Sequence, residues 1–171
     1  IENYVGYLAK RSGAERGDQD HALWNGSDEP IDLRKTMREA AGHKGRIWTH
    51  VISLRREDAE RLGYDNAAAW RELVREKAPK MAKEMGIPVD DFVWYGAFHN
   101  EGHHPHVHIF CYSKKTKQGY LSKKGIENLR RSFASEIFHD DLHHIYVQKD
   151  AQREAVKKYF EEELQKAVAK S

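Results

Sequence analysis

The sequence predicts a mixed α/β domain of the α+β type, an antiparallel sheet built on a histidine-rich hairpin with helices on its apolar face. Three observations predict it. Residues 106–112 alternate His106, His108, Phe110 and Tyr112 with Val107, Ile109 and Cys111, the two-residue repeat of a strand. Residues 92–98 read as a second strand ending at His99, and the Asn-Glu-Gly-His-His-Pro segment after it is rich in turn formers, so the two strands pair as a hairpin. Apolar residues at helical spacing fill most of the remaining chain.

Residues 1–11 read as a helix, because Ile1, Tyr4, Val5 and Leu8 form one apolar stripe. Tyr7 lies beside that stripe, next to Asn3, Lys10 and Arg11. On periodicity alone it is a boundary aromatic, and a tyrosine flanked by cations that faces an anionic ligand is the alternative. Ser12-Gly13 ends the helix, and residues 13–30 form a Gly-, Asp- and Asn-rich loop pinned by Trp24. A helix over 31–41 with Gly42 as its stop leads to a strand over 46–54. That strand puts Ile47, Thr49, Val51 and Ser53 on one face and Trp48, His50, Ile52 and Leu54 on the other, and Arg55 and Arg56 follow it. A short helix from Glu57 and a turn at 63–66 precede a long helix over 67–85, whose Trp70, Leu73, Val74, Ala78, Met81 and Met85 read as core. Pro79 is expected to bend or break it. After the hairpin come a basic loop at 114–119, a helix over 123–138 and a last helix over 141–168.

A chain of 171 residues with 39% hydrophobic and 33% charged residues supports one domain with a real core and a well-solvated surface. The net charge of +2 does not by itself imply nucleic-acid binding. Locally, residues 113–131 carry seven Lys or Arg against one Glu, whereas residues 148–171 are near balance with six against five. The single cysteine excludes an internal disulfide and fits a reducing compartment. No apolar run reaches membrane-spanning length, there is no secretory pattern, and neither a repeat nor a glycine-rich phosphate loop is present. The chain starts at Ile1 rather than Met and reads as a fragment.

Five of the eleven histidines lie between His99 and His108. The His106–His108 pair sends both rings to one side of a strand, and the hairpin brings His99 beside them, which is the geometry of a metal site with positions open to substrate. A histidine-rich surface turn is the plainer alternative. It leaves two polar rings on a strand face without a use. His103 and His104 sit in the turn and read as solvated.

Taken together, three stretches resemble the MobP-type conjugative relaxases of the HUH endonuclease superfamily, in the branch carried by mobile elements of Gram-positive gut bacteria. Residues 3–11, NYVGYLAKR, look like the family's helix bearing a nucleophilic tyrosine. Residues 48–59, WTHVISLRREDA, look like its second motif, and residues 99–108 like its metal triad. The resemblance runs from about residue 3 to residue 150. It implies Tyr7 as the nucleophile, His99, His106 and His108 as metal ligands, and Ser53 at the position touching DNA near the scissile phosphate. It further implies site- and strand-specific nicking and religation of single-stranded DNA at an origin of transfer, through a 5′-phosphotyrosine that stores the energy of the broken bond. Such an enzyme needs no ATP. Accessory mobilisation proteins and a secretion-system coupling protein are the implied partners, and the cytoplasm is the implied location, with passage into a recipient cell alongside the DNA. Family members carry a β-strand before the tyrosine helix that this sequence does not include, so either the sheet lacks an edge or central strand or residues outside this sequence supply it. At most the nicking domain, residues 1–171, is present.

The chemistry then calls for a divalent cation, Mn or Mg in the cell, with Zn, Ni or Co also suited to imidazole. Because free tyrosine titrates near pH ~10, Lys10 or Arg11 is a candidate to favour the phenolate, and Glu15 or His21 to serve as general base. Arg55, Arg56, Lys10, Arg11, Lys114 and Lys115 are candidate phosphate contacts. Trp24 and Tyr112 are either base-stacking platforms or structural fillers. Two rival readings are a rolling-circle initiator or transposase of the same superfamily, and a non-catalytic DNA-binding module with a structural metal.

Overall fold

The structure is a computed structural model that describes residues 2–17 and 19–141. Beyond its first residue, the helix expected over 141–168 lies outside them. Strands β1 (Ile47–Ser53), β2 (Phe92–His99) and β3 (His106–Ser113) form one antiparallel sheet in the order β1-β3-β2. The expected strands are present to within a residue or so. β3 is central because it alternates a fully apolar side with a polar and aromatic one, and both sides are used. The register aligns Ser53 with His106 and His106 with His99, and it aligns Val51 with His108 and His108 with Ala97. Residues directly opposite one another share a face, so Ser53, His99, His106 and His108 stand on the same side at one end of the sheet.

The other side is the main core. Val107, Ile109 and Cys111 pack with Trp70, Leu73 and Met81 of α4 (Ala67–Glu84) and with Leu129, Phe133 and Ile137 of α5 (Lys123–Ile137). Cys111 is sealed there, its sulfur 3.8 Å from that of Met85, and burial pushes its thiol up to about 12. α4 runs through Pro79 without a break. Pro79 faces solvent, so water can satisfy the Arg75 carbonyl that loses its amide, while buried Ala78, Met81 and Ala82 hold the helix on either side. Asn66 caps α4 by accepting from the Ala69 amide.

The histidine side is only half open, a correction to the expectation of helices on the apolar face alone. α1 (Glu2–Lys10) and α2 (Leu33–Gly42) pack over its far half, where Val5, Leu8, Ala9 and Ala40 meet Ala97, Phe110 and Tyr112. Phe110 and Tyr112 demand this cover, since two large rings left in water would forfeit their burial. The short α3 (Arg56–Leu62) follows β1 and ends at Gly63 in the left-handed region, φ 84°.

The loop at 13–30 adds to the free edge of β2. Ala14 bridges to His99, and Trp24 exchanges both backbone hydrogen bonds with Gly96, at 2.9 and 2.8 Å. A Cβ on Gly96 would fall 2.4 Å from the Trp24 ring, so only glycine admits this approach. Trp24 is therefore the loop's anchor, 8% exposed and edge-on to Trp94, and not a platform for bases. Tyr112 is likewise a strand filler, buried against His43 with ring centroids 4.5 Å apart. Among the described residues no helix is long and apolar enough to cross a membrane.

Candidate metal centre

The site grows out of the last turn of α1. A helix leaves its final carbonyls without intrahelical partners, and here each one finds another. The Tyr7 carbonyl accepts from the Arg11 amide at 3.0 Å, that of Ala9 from Ala22 at 2.7 Å, and that of Lys10 from the Arg16 guanidinium at 3.4 Å. The Leu8 carbonyl accepts from Nε2 of His99 at 3.0 Å. A carbonyl can only accept, so His99 carries its proton on Nε2 and its Nδ1 lone pair is left over. That Nδ1 is buried and has no partner.

His106 is prepared in the same way, whereas His108 has no such anchor. Nδ1 of His106 donates to the His104 carbonyl at 3.0 Å, which leaves Nε2 with its lone pair. Both nitrogens of His108 are buried without a partner. The ring centroids lie 4.7 to 5.2 Å apart, and one ligand atom from each ring falls within 4.8 Å of the others. Among the described residues this is the one group of three or more His, Cys, Asp or Glu arranged to share an ion. Burial holds His108 down to about 4, with the neighbouring His99, His106 and Arg11 adding to the effect, and burial likewise lowers His99. Both rings are neutral at neutral pH, the form that ligates a metal. Three neighbouring rings with unpartnered nitrogens, two of them oriented through the other nitrogen by a backbone carbonyl, fit a divalent cation.

Tyr7 projects from α1 beside the triad. Its ring centroid is 6.4 Å from that of His99 in an edge arrangement, and the residue is 48% exposed. Tyr4, one turn earlier, sits at the same distance from His108 but packs against the second core, where burial and then the charge of Tyr7 raise its phenol. Arg11 donates to the Tyr7 hydroxyl and pairs with Glu101 of the hairpin turn at 3.2 Å. Ser53 shares the face and register position of His106. Arg56 braces the turn, donating to the Gly102 carbonyl at 3.0 Å and to Asn100 Oδ1 at 2.6 Å, whereas Arg55 pairs with Asp58 at 3.2 Å. Lys10 is exposed at the end of α1, and His103 and His104 are exposed in the turn.

Four expected site residues belong elsewhere. Both ring nitrogens of His21 are engaged, Nε2 on the Ile31 carbonyl at 3.0 Å and Nδ1 on the Leu23 amide at 3.1 Å, so no lone pair remains for a general base. Glu15 Oε2 accepts from the Ala67 amide at 2.5 Å and caps α4. Lys114 and Lys115 follow the opposite end of β3, about 25 Å from His106 at ~3.3 Å per residue. No residue pattern marks the Leu8 and His104 carbonyls, since backbone acceptors leave no residue signature. Glu101 was visible only as a turn residue.

A family model for MobL relaxases matches residues 3–170. No curated protein and no solved structure matches the chain. With a match over nearly its whole length, and with three metal-ready histidines beside an exposed tyrosine, the chain belongs to the MobL relaxases, a family of DNA-nicking enzymes.

Proposed function

We propose that this protein nicks and rejoins one DNA strand at an origin of transfer, with Tyr7 as the nucleophile, for the mobilisation of a plasmid or integrative element of the MobP-type, Gram-positive branch. The observation that carries the reading is the placing of the most exposed phenol of α1 against His99, the ring that α1 itself orients through the Leu8 carbonyl. The Tyr7 oxygen attacks the scissile phosphorus. The bond from phosphorus to the 3′ oxygen breaks, the 5′ phosphate stays joined to Tyr7, and the proton lost by the phenol ends on the 3′ hydroxyl. Reversal by that hydroxyl rejoins the strand, and no external energy is consumed.

His99, His106 and His108 would hold the divalent cation, Mn or Mg, with Zn, Ni or Co as substitutes. Bound there, it supplies Lewis-acid stabilisation of charge on the non-bridging phosphate oxygens. The chain's own residues do the rest. Ser53, Arg55, Arg56 and Lys10 line the approach at the same end of the sheet and meet the strand's phosphates. Lys114 and Lys115, at the far end, reach only DNA that extends well beyond the nick. Residues 1–171 act as a single nicking domain, in the cytoplasm, with accessory mobilisation proteins and a secretion-system coupling protein as partners.

The test is incubation with a library of origin single strands and Mn, followed by mass spectrometry of the tyrosine peptides. The expected result is an oligonucleotide 5′-phosphate adduct on Tyr7 that disappears in Tyr7→Phe. An adduct on another residue, or none with any strand, contradicts the proposal.

A further inference from the structure

The contact between Arg11 and Tyr7 is not isolated. The guanidinium is a planar fork whose donor directions are fixed relative to one another. One edge faces Glu101, with Nε 3.2 Å from Oε1 and Nη2 3.3 Å from Oε2. The remaining Nη1 donates to the Tyr7 hydroxyl, and the guanidinium carbon lies 5.2 Å from the centre of the Tyr7 ring. Once the carboxylate fixes one edge of the plane, the direction of Nη1 is set. Arg11 lies one residue past α1, whereas Glu101 lies in the turn between β2 and β3, 90 positions away in sequence. The backbone makes room for the pair. Gly13 has φ +91°, and a Cβ there would fall 2.4 Å from Cγ of Glu101. The Asn100 amide donates to the Gly13 carbonyl at 3.0 Å, so the two turns are tied side by side.

We propose that Glu101 is a positioning residue for the nucleophile: from the hairpin turn it orients the Arg11 fork, and Arg11 in turn holds the Tyr7 oxygen beside the histidine triad. The inference rests on Tyr7 being the nucleophile only for its catalytic consequence; the chain of contacts stands on the geometry alone. It makes Glu101 act through Arg11, and not as a base that takes the phenol proton.

The test is a double-mutant cycle of Arg11→Ala and Glu101→Gln, with Arg11→Lys beside it, read in two ways. In the first, the protein is labelled with 3-fluorotyrosine and the Tyr7 fluorine resonance is assigned by its loss in Tyr7→Phe. Arg11→Ala is expected to move that line, Glu101→Gln to move it the same way by less, and Glu101→Gln to add nothing in the Arg11→Ala background. Arg11→Lys should resemble Arg11→Ala, because an ammonium cannot face both partners as a fork does. In the second, single-turnover adduct formation on an origin strand should slow about 10- to 100-fold in Arg11→Ala, the scale for loss of a charged donor at a reacting oxygen. It should slow about two- to fivefold in Glu101→Gln, the scale for a partly exposed ion pair, with strand affinity unchanged. A Tyr7 resonance indifferent to both substitutions overturns the proposal, whatever the adduct does. So does a Glu101→Gln loss that equals or exceeds that of Arg11→Ala, or that persists undiminished without Arg11. Absence of any adduct in the parent protein, with the resonance shifts intact, instead sinks the nucleophile assignment.

Discussion

The two sides of β3 are built from neighbouring residues yet solve opposite problems. On one side Val107, Ile109 and Cys111 meet side chains of their own kind from α4 and α5, and every surface is covered. On the other, His106 and His108 share their end of the sheet with His99, and three buried ring nitrogens of His99 and His108 are left without protein partners. Partnerless buried polar atoms cost about 1–3 kcal/mol each, so the first side stabilises the fold while the second is held in place by it. The difference teaches where to look for function: at a cluster of polar groups that folding leaves unsatisfied together, whereas Trp24 Nε1 and His50 Nε2 stand singly.

The largest effect should come from breaking the polar side. His108→Ala removes one of three ligands, and we expect adduct formation to fall by about 10³-fold, on the order of 4 kcal/mol. The metal-free protein should melt at the same temperature or slightly higher, because two partnerless nitrogens disappear; differential scanning calorimetry beside the adduct assay reads both. Ile109→Ala should do the reverse. It opens a cavity between β3 and α4 worth about 2–5 kcal/mol in denaturant unfolding, with the metal stoichiometry kept. At the sheet edge, Gly96→Ala drives a methyl into the Trp24 ring and should cost about 1–3 kcal/mol by the same measurement. The smallest effect belongs to the far end of the strand: Lys114→Ala with Lys115→Ala should leave nicking of a short origin strand unchanged and weaken binding only of longer DNA, as anisotropy over a length series would show.

A pH prediction sharpens the same contrast from the apolar side. His50 shares its β1 face with Ile52; its Nε2 is buried without a partner, and burial lowers its pKa below the usual ~6.5. The unfolded chain therefore takes up this proton first as pH falls, and stability drops below pH ~6.5. Replacing His50 by Gln should make that part of the metal-free protein's stability–pH curve less steep, with His99 and His108 supplying the slope that remains.

Much of this is legible in the sequence itself. The alternation in 106–112 and the turn formers at 100–105 predict the hairpin, its register and the three converging rings, because a strand's period ties residue type directly to face. The helical stripe of α1 separates Tyr4 from Tyr7 in the same way. What stayed hidden was tertiary. Whether Trp24 and Tyr112 stack on bases or fill the core depends on what covers them, and Gly96 and α2 decide that. The loss of His21 as a base turns on hydrogen bonds to Ile31 and Leu23, and the part Glu15 takes in capping α4 turns on the Ala67 amide, none implied by local pattern. Pro79 shows the limit of a propensity rule where packing holds a helix on both sides. The distance of Lys114 from the triad follows from β3 running away from the site, and the strand assignment already contained it.

The central claim is that His99, His106 and His108 are one cation site. Isothermal titration of the metal-free protein with Mn(II) tests it most directly. One ion per chain, with the binding heat lost when all three histidines are replaced by alanine and weakened by each replacement alone, is the predicted result. Full-strength binding in the triple variant, or none in the parent protein, would contradict it.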